Sequence, residues 1–232
     1  MLQRILEPEV MDSAEDAAEY DAMDHTAVNE IFVTDLLAAM TDWSLQRPVN
    51  THAPLQILDL GAGTAQIAIE LARHFQNARI TAVDAAKNML MLAEKNVTAA
   101  GVANCITLIL ADAKQLPFDL DTFDVVISNS SFHHIPEPVT VIAEAVRTTK
   151  PGGLLFHRDL ARPHDEPALR RLAATYAGDA TQYQRRLFTE SLQAALTVKE
   201  MSDLVARYAF DRESLRMTSD RHWTWTASKS ER

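Results

Sequence analysis

An apolar run ends in Asp59, Gly61 and Gly63 follow at once, and Asp84 stands about 20 residues further on. Glycines there let the backbone turn tightly and let a ligand approach the main chain, while the helix start behind them points amides into the turn. A carboxylate at Asp84 accepts two hydroxyl hydrogen bonds at once, which is what a ribose diol offers. It could also cap a helix beginning near Ala86, and the two roles are compatible. A nucleotide-like ligand is expected. For proton transfer the chain offers His133 and His134, directly after Asn129-Ser130-Ser131-Phe132, together with His25 and Asp159. The planar fork of Arg158 suits a carboxylate or phosphate, with an Arg158-Asp159 ion pair as the structural alternative. No metal site is expected. His133 and His134 are too tight a pair for two side chains of a regular strand or helix to share one ion, and no cysteine cluster exists.

These groups need a scaffold, and the hydrophobic period supplies one. Apolar runs at Leu55 to Leu60, Arg79 to Val83, Ile106 to Leu110, Val125 to Ser128 and Leu154 to Phe156 alternate with helical stretches at 64–75, 86–99 and 138–149. That alternation is the α/β signature of a mainly parallel, doubly wound sheet with helices on both faces. Residues 24–46 read as a helix with Ile31, Phe32, Leu36, Leu37 and Met40 along one side, and 162–207 as a helical insert. Glu213 to Thr218 and His222 to Ala227 lie too close for a crossover helix and predict an antiparallel hairpin. Trp223 and Trp225 alternate in it and are expected in the core.

Composition narrows the class. With 232 residues, 47% apolar content and no very long apolar run, the chain is expected to build a substantial core without a membrane span. The start, Met1-Leu2-Gln3-Arg4-Ile5, meets Glu7 before any signal-like stretch develops, so a cytoplasmic enzyme is expected. Cys105, the one cysteine, sits beside an apolar run and reads as a buried strand neighbour. The net charge is −10, and most of it lies in residues 1–35, where Arg4 alone opposes ten acids. Such an arm repels phosphate backbones and favours a small-molecule substrate over nucleic acid, although Arg170-Arg171 and Arg185-Arg186 leave local basic pairs.

The third glycine separates two nucleotide chemistries. A dinucleotide fingerprint wants glycine three residues after Gly63, and this chain has Gln66. Asp112 then follows the third strand at a place suited to an adenine amino group. In order, Asp59-Leu60-Gly61-Ala62-Gly63-Thr64-Ala65, Asp84, Asp112, Asn129 through His134 and the closing hairpin resemble the class I S-adenosylmethionine-dependent methyltransferases over residues 55–160. The resemblance implies a seven-stranded Rossmann-like methyltransferase fold, S-adenosylmethionine as cofactor with S-adenosylhomocysteine as product, and methyl transfer by in-line displacement. It implies cofactor contacts at Tyr20, Asp59, Gly61, Ala62, Gly63, Asp84, Ala85, Met89, Asp112, Ala113, Asn129, Ser130 and His134. It further implies a lid or arm at 1–46 before a domain at 47–232, and a small acceptor beneath the insert, touched by Arg158, Tyr183 and Arg186. A monomer or homodimer is expected. An RNA-modifying enzyme and a non-catalytic cofactor-binding regulator are the alternatives. Ala65 stands where many members have a further glycine, and Ala85 where serine is frequent.

Overall fold

The structure is a computed structural model and describes residues 2–8, 10, 12–45, 53–75 and 77–231. Helices α1 (Ala14–Asp21) and α2 (Thr26–Leu45) precede β1 (Leu55–Leu60), α3 (Gln66–His74), β2 (Ala78–Asp84), α4 (Lys87–Ala99), β3 (Ile106–Leu110) and β4 (Phe123–Asn129). A 3-10 turn (Phe132–His134) leads into α5 (Pro138–Thr148) and β5 (Thr149–Leu160). Helices α6 (Glu166–Ala177), α7 (Gln182–Ala194) and α8 (Val198–Ala206) form the expected insert, and β6 (Leu215–Met217) and β7 (His222–Ser228) close the chain.

The strands make one seven-stranded sheet in the order β3-β2-β1-β4-β5-β7-β6. Strands β2, β1 and β4 run parallel side by side, with Ile57 level with both Ile80 and Val125. The last two strands pair antiparallel, with Leu215 opposite Trp225, as the short connection requires. Chain order reverses between β1 and β4, which is where a sheet of this kind opens a crevice beyond its strand ends. Asp59 and Asn129, near the carboxyl ends of those two strands, therefore flank it.

Two compact units share the chain. The larger holds Val10–Asn129, Thr140–His157 and Thr226–Arg232; the smaller holds Met1–Glu9, Ser130–Val139 and Arg158–Trp225. The boundary of the expected division into 1–46 and 47–232 falls outside the described residues. Phe32 and Leu36 of α2 are wholly buried in the larger unit's core with Ile57, Ile80 and Ile127, and the Phe32 ring meets Phe156 edge-on at 5.3 Å. Helix α3 adds Ile67, Ala68, Leu71 and Ala72, spaced so that one face is apolar.

In the smaller unit, Leu169 of α6 and Leu192 of α7 close over Leu160, and Leu2 joins them from the N-terminal segment. Capping boxes at Thr181/Gln184 and Thr197/Glu200 start α7 and α8. Trp223 and Trp225 are fully buried, the first against Phe132 at 6.0 Å and the second against Phe210 at 5.1 Å. Cys105 is buried as well. Among the described residues no helix is long and apolar enough to cross a membrane. Because α2 is core and not appendage, Phe32→Ala should cost about 3–5 kcal/mol in chemical denaturation. A loss below about 1 kcal/mol would mean that α2 sits loosely on the sheet.

Candidate functional site

The crevice in the larger unit is lined by Tyr20, Asn29, Asp59, Gly61, Ala62, Thr64, Gln66, Ile67 and Asn129. The glycine turn shapes its floor. Gly61 and Gly63 hold φ of 69° and 54°, left-handed angles that a side chain disfavours. Ala65 is also left-handed, at φ 64° and ψ 24°, which is why a glycine would suit its place; the cost to alanine is about 1–2 kcal/mol. Gln66 then opens α3 and accepts from the Asn29 amide at 3.0 Å, so the position lacking a third glycine ties α2 to α3 at the rim.

Three polar atoms in this crevice are buried without a hydrogen-bond partner: Asp59 Oδ2, Thr64 Oγ1 and Asn129 Oδ1. Two of them are pure acceptors, so they call for a donor from outside the chain. Burial, reinforced by the neighbouring Asp84 charge, pushes the Asp59 carboxyl up to about 7. A protonated amino group between Asp59 and Asn129 would satisfy both oxygens and restore the charge. The methionine end of S-adenosylmethionine carries such a group, and the residues fit it.

While α4 has Ala86 as its N-cap and no side-chain cap bond, Asp84 bonds the two turns beside it. Its Oδ1 accepts from Ala86 N at 2.8 Å and its Oδ2 from Gly63 N at 2.7 Å, which locks the glycine turn to the start of α4. Each oxygen keeps a second lone pair for a hydroxyl. Burial raises its pKa, against the lowering by the amides of Ala86, Gly63 and Ala85. Ala85 beside it is exposed. Asp112 is half-exposed in a turn of its own, where it accepts from Lys114 N at 2.8 Å and pairs with the Lys114 ammonium at 3.1 Å; Ala113 is half-buried next to it. Met89 packs with Ala17, Ala86 and Tyr20 where α1 lies on α4.

Helix α1 roofs the turn. Asp12 accepts from Asn88 N at 2.9 Å and Asp21 from the Asn96 amide at 2.9 Å, so two acids of the N-terminal arm fasten α1 onto α4. The Tyr20 ring comes so close that a Cβ added at Gly63 would stand 3.7 Å from it. Burial, with the charges of Asp84, Asp59 and Asp21, pushes the Tyr20 hydroxyl up to about 12, so it stays a neutral donor. His25 stacks on Tyr20 with ring centroids 4.7 Å apart, and burial lowers its pKa.

A second polar centre lies in the smaller unit, around Asp159. Its Oδ1 meets His133 Nδ1 at 2.5 Å and accepts from Leu160 N at 2.6 Å, while Oδ2 accepts from Phe132 N at 2.5 Å. Burial alone would raise Asp159, but His133 and the Leu160 amide hold it below the usual carboxylate range. Burial likewise opposes charge on His133, and Asp159 outweighs it, so that ring is raised. Its neighbour His134 is pushed down to about 3 by burial and by His133, and is neutral. Ser130, just before the turn, is left-handed at φ 57° and donates its N–H to Arg158 O at 2.9 Å.

Two further groups join this centre that the sequence did not mark. Glu7 places Oε1 3.1 Å from His134 Nδ1 and 3.5 Å from His133 Nε2. Arg4 donates to the carbonyls of Ala194 at 2.6 Å and Ile135 at 3.0 Å. Residues so far apart in the chain carry no spacing signal, and Glu7 was one acid among many.

Arg158, expected to touch the acceptor, sits on β5. The side chain is buried and donates to the Thr224 hydroxyl at 2.8 Å, a link within the sheet. Adjacent strand residues face opposite sides, so Arg158 and Asp159 part company. On α7, Arg186 is exposed, lies 5.4 Å over the Tyr183 ring and pairs loosely with Glu190 at 3.8 Å. The basic pairs are engaged along their helices: Arg170 with Glu166 at 3.4 Å, and Arg185 on the Ala177 and Gly178 carbonyls that end α6.

Known proteins share this arrangement. Residues 58–157 match the Methyltransferase domain family. A demethylmenaquinone methyltransferase of Geobacillus kaustophilus (strain HTA426) is 34% identical over 120 residues, covering 51% of this chain and 51% of that protein. The chain thus spans about half the length of this curated relative. Among solved structures, the plantazolicin methyltransferase BpumL in complex with S-adenosylhomocysteine superposes with a TM-score of 0.68 at 15% identity, covering 92% of this chain and 88% of that one. The [4+2]-cyclase SpnF superposes with a TM-score of 0.58 at 19% identity, covering 99% and 89%. These two likenesses establish the fold alone. Over residues 58–157 the chain is thus similar to the Methyltransferase domain family, and the strand order and the Asp59 glycine turn agree with that likeness.

Proposed function

We propose that this protein transfers a methyl group from S-adenosylmethionine to a small organic acceptor. The observation that carries the reading is the set of buried acceptors without partners, Asp59 Oδ2 and Asn129 Oδ1, at the point where strand order reverses. When bound, the cofactor supplies a sulfonium methyl group open to in-line displacement. The chain's own contribution is to hold and to exclude water. Asp59 and Asn129 take the amino group, the free lone pairs of Asp84 take the ribose hydroxyls, and Asp112 stands at the adenine side. Tyr20 closes the methionine end, and positioning with desolvation then lowers the barrier.

Arg170 pairs with Glu166, Arg185 with the Ala177 carbonyl and Arg186 with Glu190, and these engagements support a small acceptor over RNA. A curated relative named for demethylmenaquinone is consistent with that class. Incubation with methyl-labelled cofactor and cell extract should place label in a low-molecular-mass product. Label in tRNA, or cofactor binding with no label transferred at all, would overturn the reading.

Two binding experiments follow. Asp59 receives an ammonium group only when ionised, and with its pKa near 7 the ionised fraction falls about tenfold from pH 8 to pH 6. Calorimetric affinity for S-adenosylhomocysteine should weaken by about tenfold over that interval. Asp59→Asn should flatten the profile; a flat wild-type profile would sink the assigned pairing. The lid is tested separately. Tyr20→Ala should raise the dissociation constant by at least about tenfold, whereas Tyr20→Phe, which keeps the ring, should stay within about threefold. Equal affinities for Tyr20→Ala and wild type would exclude Tyr20 from the site.

A further inference from the structure

The N-terminal segment is strapped onto the smaller unit by its backbone as well as by Arg4. Leu2 N donates to His164 O at 2.9 Å and Ile5 N to Gln193 O at 3.4 Å. The strap brings Glu7 to the 3-10 turn, where its side chain is only 8% exposed. Its Oε2 accepts from the Ser191 hydroxyl at 3.3 Å. Its Oε1 has no hydrogen-bond partner, and neither has His134 Nδ1, although the two atoms are 3.1 Å apart. No atom fits between two atoms 3.1 Å apart, but one ion held beside both would serve them.

The geometry suits an ion. One ligand atom from each of Glu7, His133 and His134 lies within 4.8 Å of the other two, and Glu7 Oε1 is 3.1 Å from His134 Nδ1 and 3.5 Å from His133 Nε2. The two measured edges, 3.1 and 3.5 Å, bracket the edge of about 3.3 Å expected for tetrahedral ligands held at about 2.0–2.1 Å. Consecutive histidines of a regular strand or helix could not converge in this way. In the 3-10 turn the two rings lie side by side, with centroids 4.2 Å apart and planes 35° apart. His133 is oriented as metal-bound histidines are: its other nitrogen meets Asp159, which is itself fixed by the Phe132 and Leu160 amides. Arg4 is spent on backbone carbonyls, those of Ala194 and Ile135 among them.

We propose that Glu7 Oε1, His133 Nε2 and His134 Nδ1 form a three-ligand site for a divalent transition-metal ion of the zinc class, with water in the fourth position. Two imidazoles and one carboxylate select such ions over calcium or magnesium. The site is a clasp: one ligand comes from the N-terminal segment and two from the turn after β4, so a bound ion fastens the segment to the turn. It is independent of the cofactor crevice, whose lining residues contribute no ligand.

The test uses the full chain without a histidine tag, stripped with chelator and titrated with Zn2+ by calorimetry, with Co2+ as an optical probe. One equivalent should bind with a dissociation constant at or below about 1 μM, raise the melting temperature and give a Co2+ spectrum of tetrahedral type. Glu7→Gln and His134→Ala should each weaken binding by at least about a hundredfold, and Asp159→Asn by about 10–100-fold through the orientation of His133. His164→Ala, an exposed histidine paired with Asp165, should bind as wild type does. Circular dichroism checks that each variant is folded, and Glu7→Gln alone suffices if the buried histidine and aspartate variants are not. Absence of binding up to about 100 μM, or equal binding by Glu7→Gln and wild type, would overturn the site.

Discussion

A buried carboxylate with an unused oxygen is the constraint on which the larger unit depends. Asp59 sits near the end of the central strand β1, 2% exposed, beside a second carboxylate at Asp84. Burying charge without a partner is costly, so the group either takes up a proton or receives a cation. The elements around it serve that choice. The glycines let the chain turn away without filling the space, Asp84 fixes the turn through the Gly63 amide, and the Tyr20 ring lies against Gly63. The site is unfinished by the protein alone, and that is what makes it a binding site.

Asp159 shows the opposite solution in the smaller unit. It is as deeply buried, yet both its oxygens are occupied by backbone amides and by His133, and its pKa is held down where that of Asp59 is pushed up. What is left incomplete there lies one step out, at Glu7 and His134. The same physical bookkeeping, asking which buried polar atoms have partners, thus separates a saturated carboxylate from an open one and locates both centres.

Some elements were legible because their signals are local. The period switches from β1 to β4, the glycine turn and the short connection between β6 and β7 each follow from a few neighbouring residues, and all appear where expected. Asp84 was legible by spacing, and the structure adds that it accepts from the Ala86 and Gly63 amides. From the sequence a guanidinium near a strand end looks available, while the burial of Arg158 and its bond to Thr224 depend on a strand 66 residues later. The N-terminal arm carries no local signal of its contacts, because Asp12, Asp21 and Glu7 meet Asn88, Asn96 and Ser191 far along the chain.

By itself the sequence determined the α/β sheet, the turn after β1 and the kind of ligand that the turn accepts, because hydrophobic period and glycine placement act within a few residues. Tertiary structure alone decided which polar atoms are left without partners, that α2 is core, and that Glu7 meets the paired histidines. Those outcomes depend on which distant segments exclude water from one another, and short-range pattern carries no record of that.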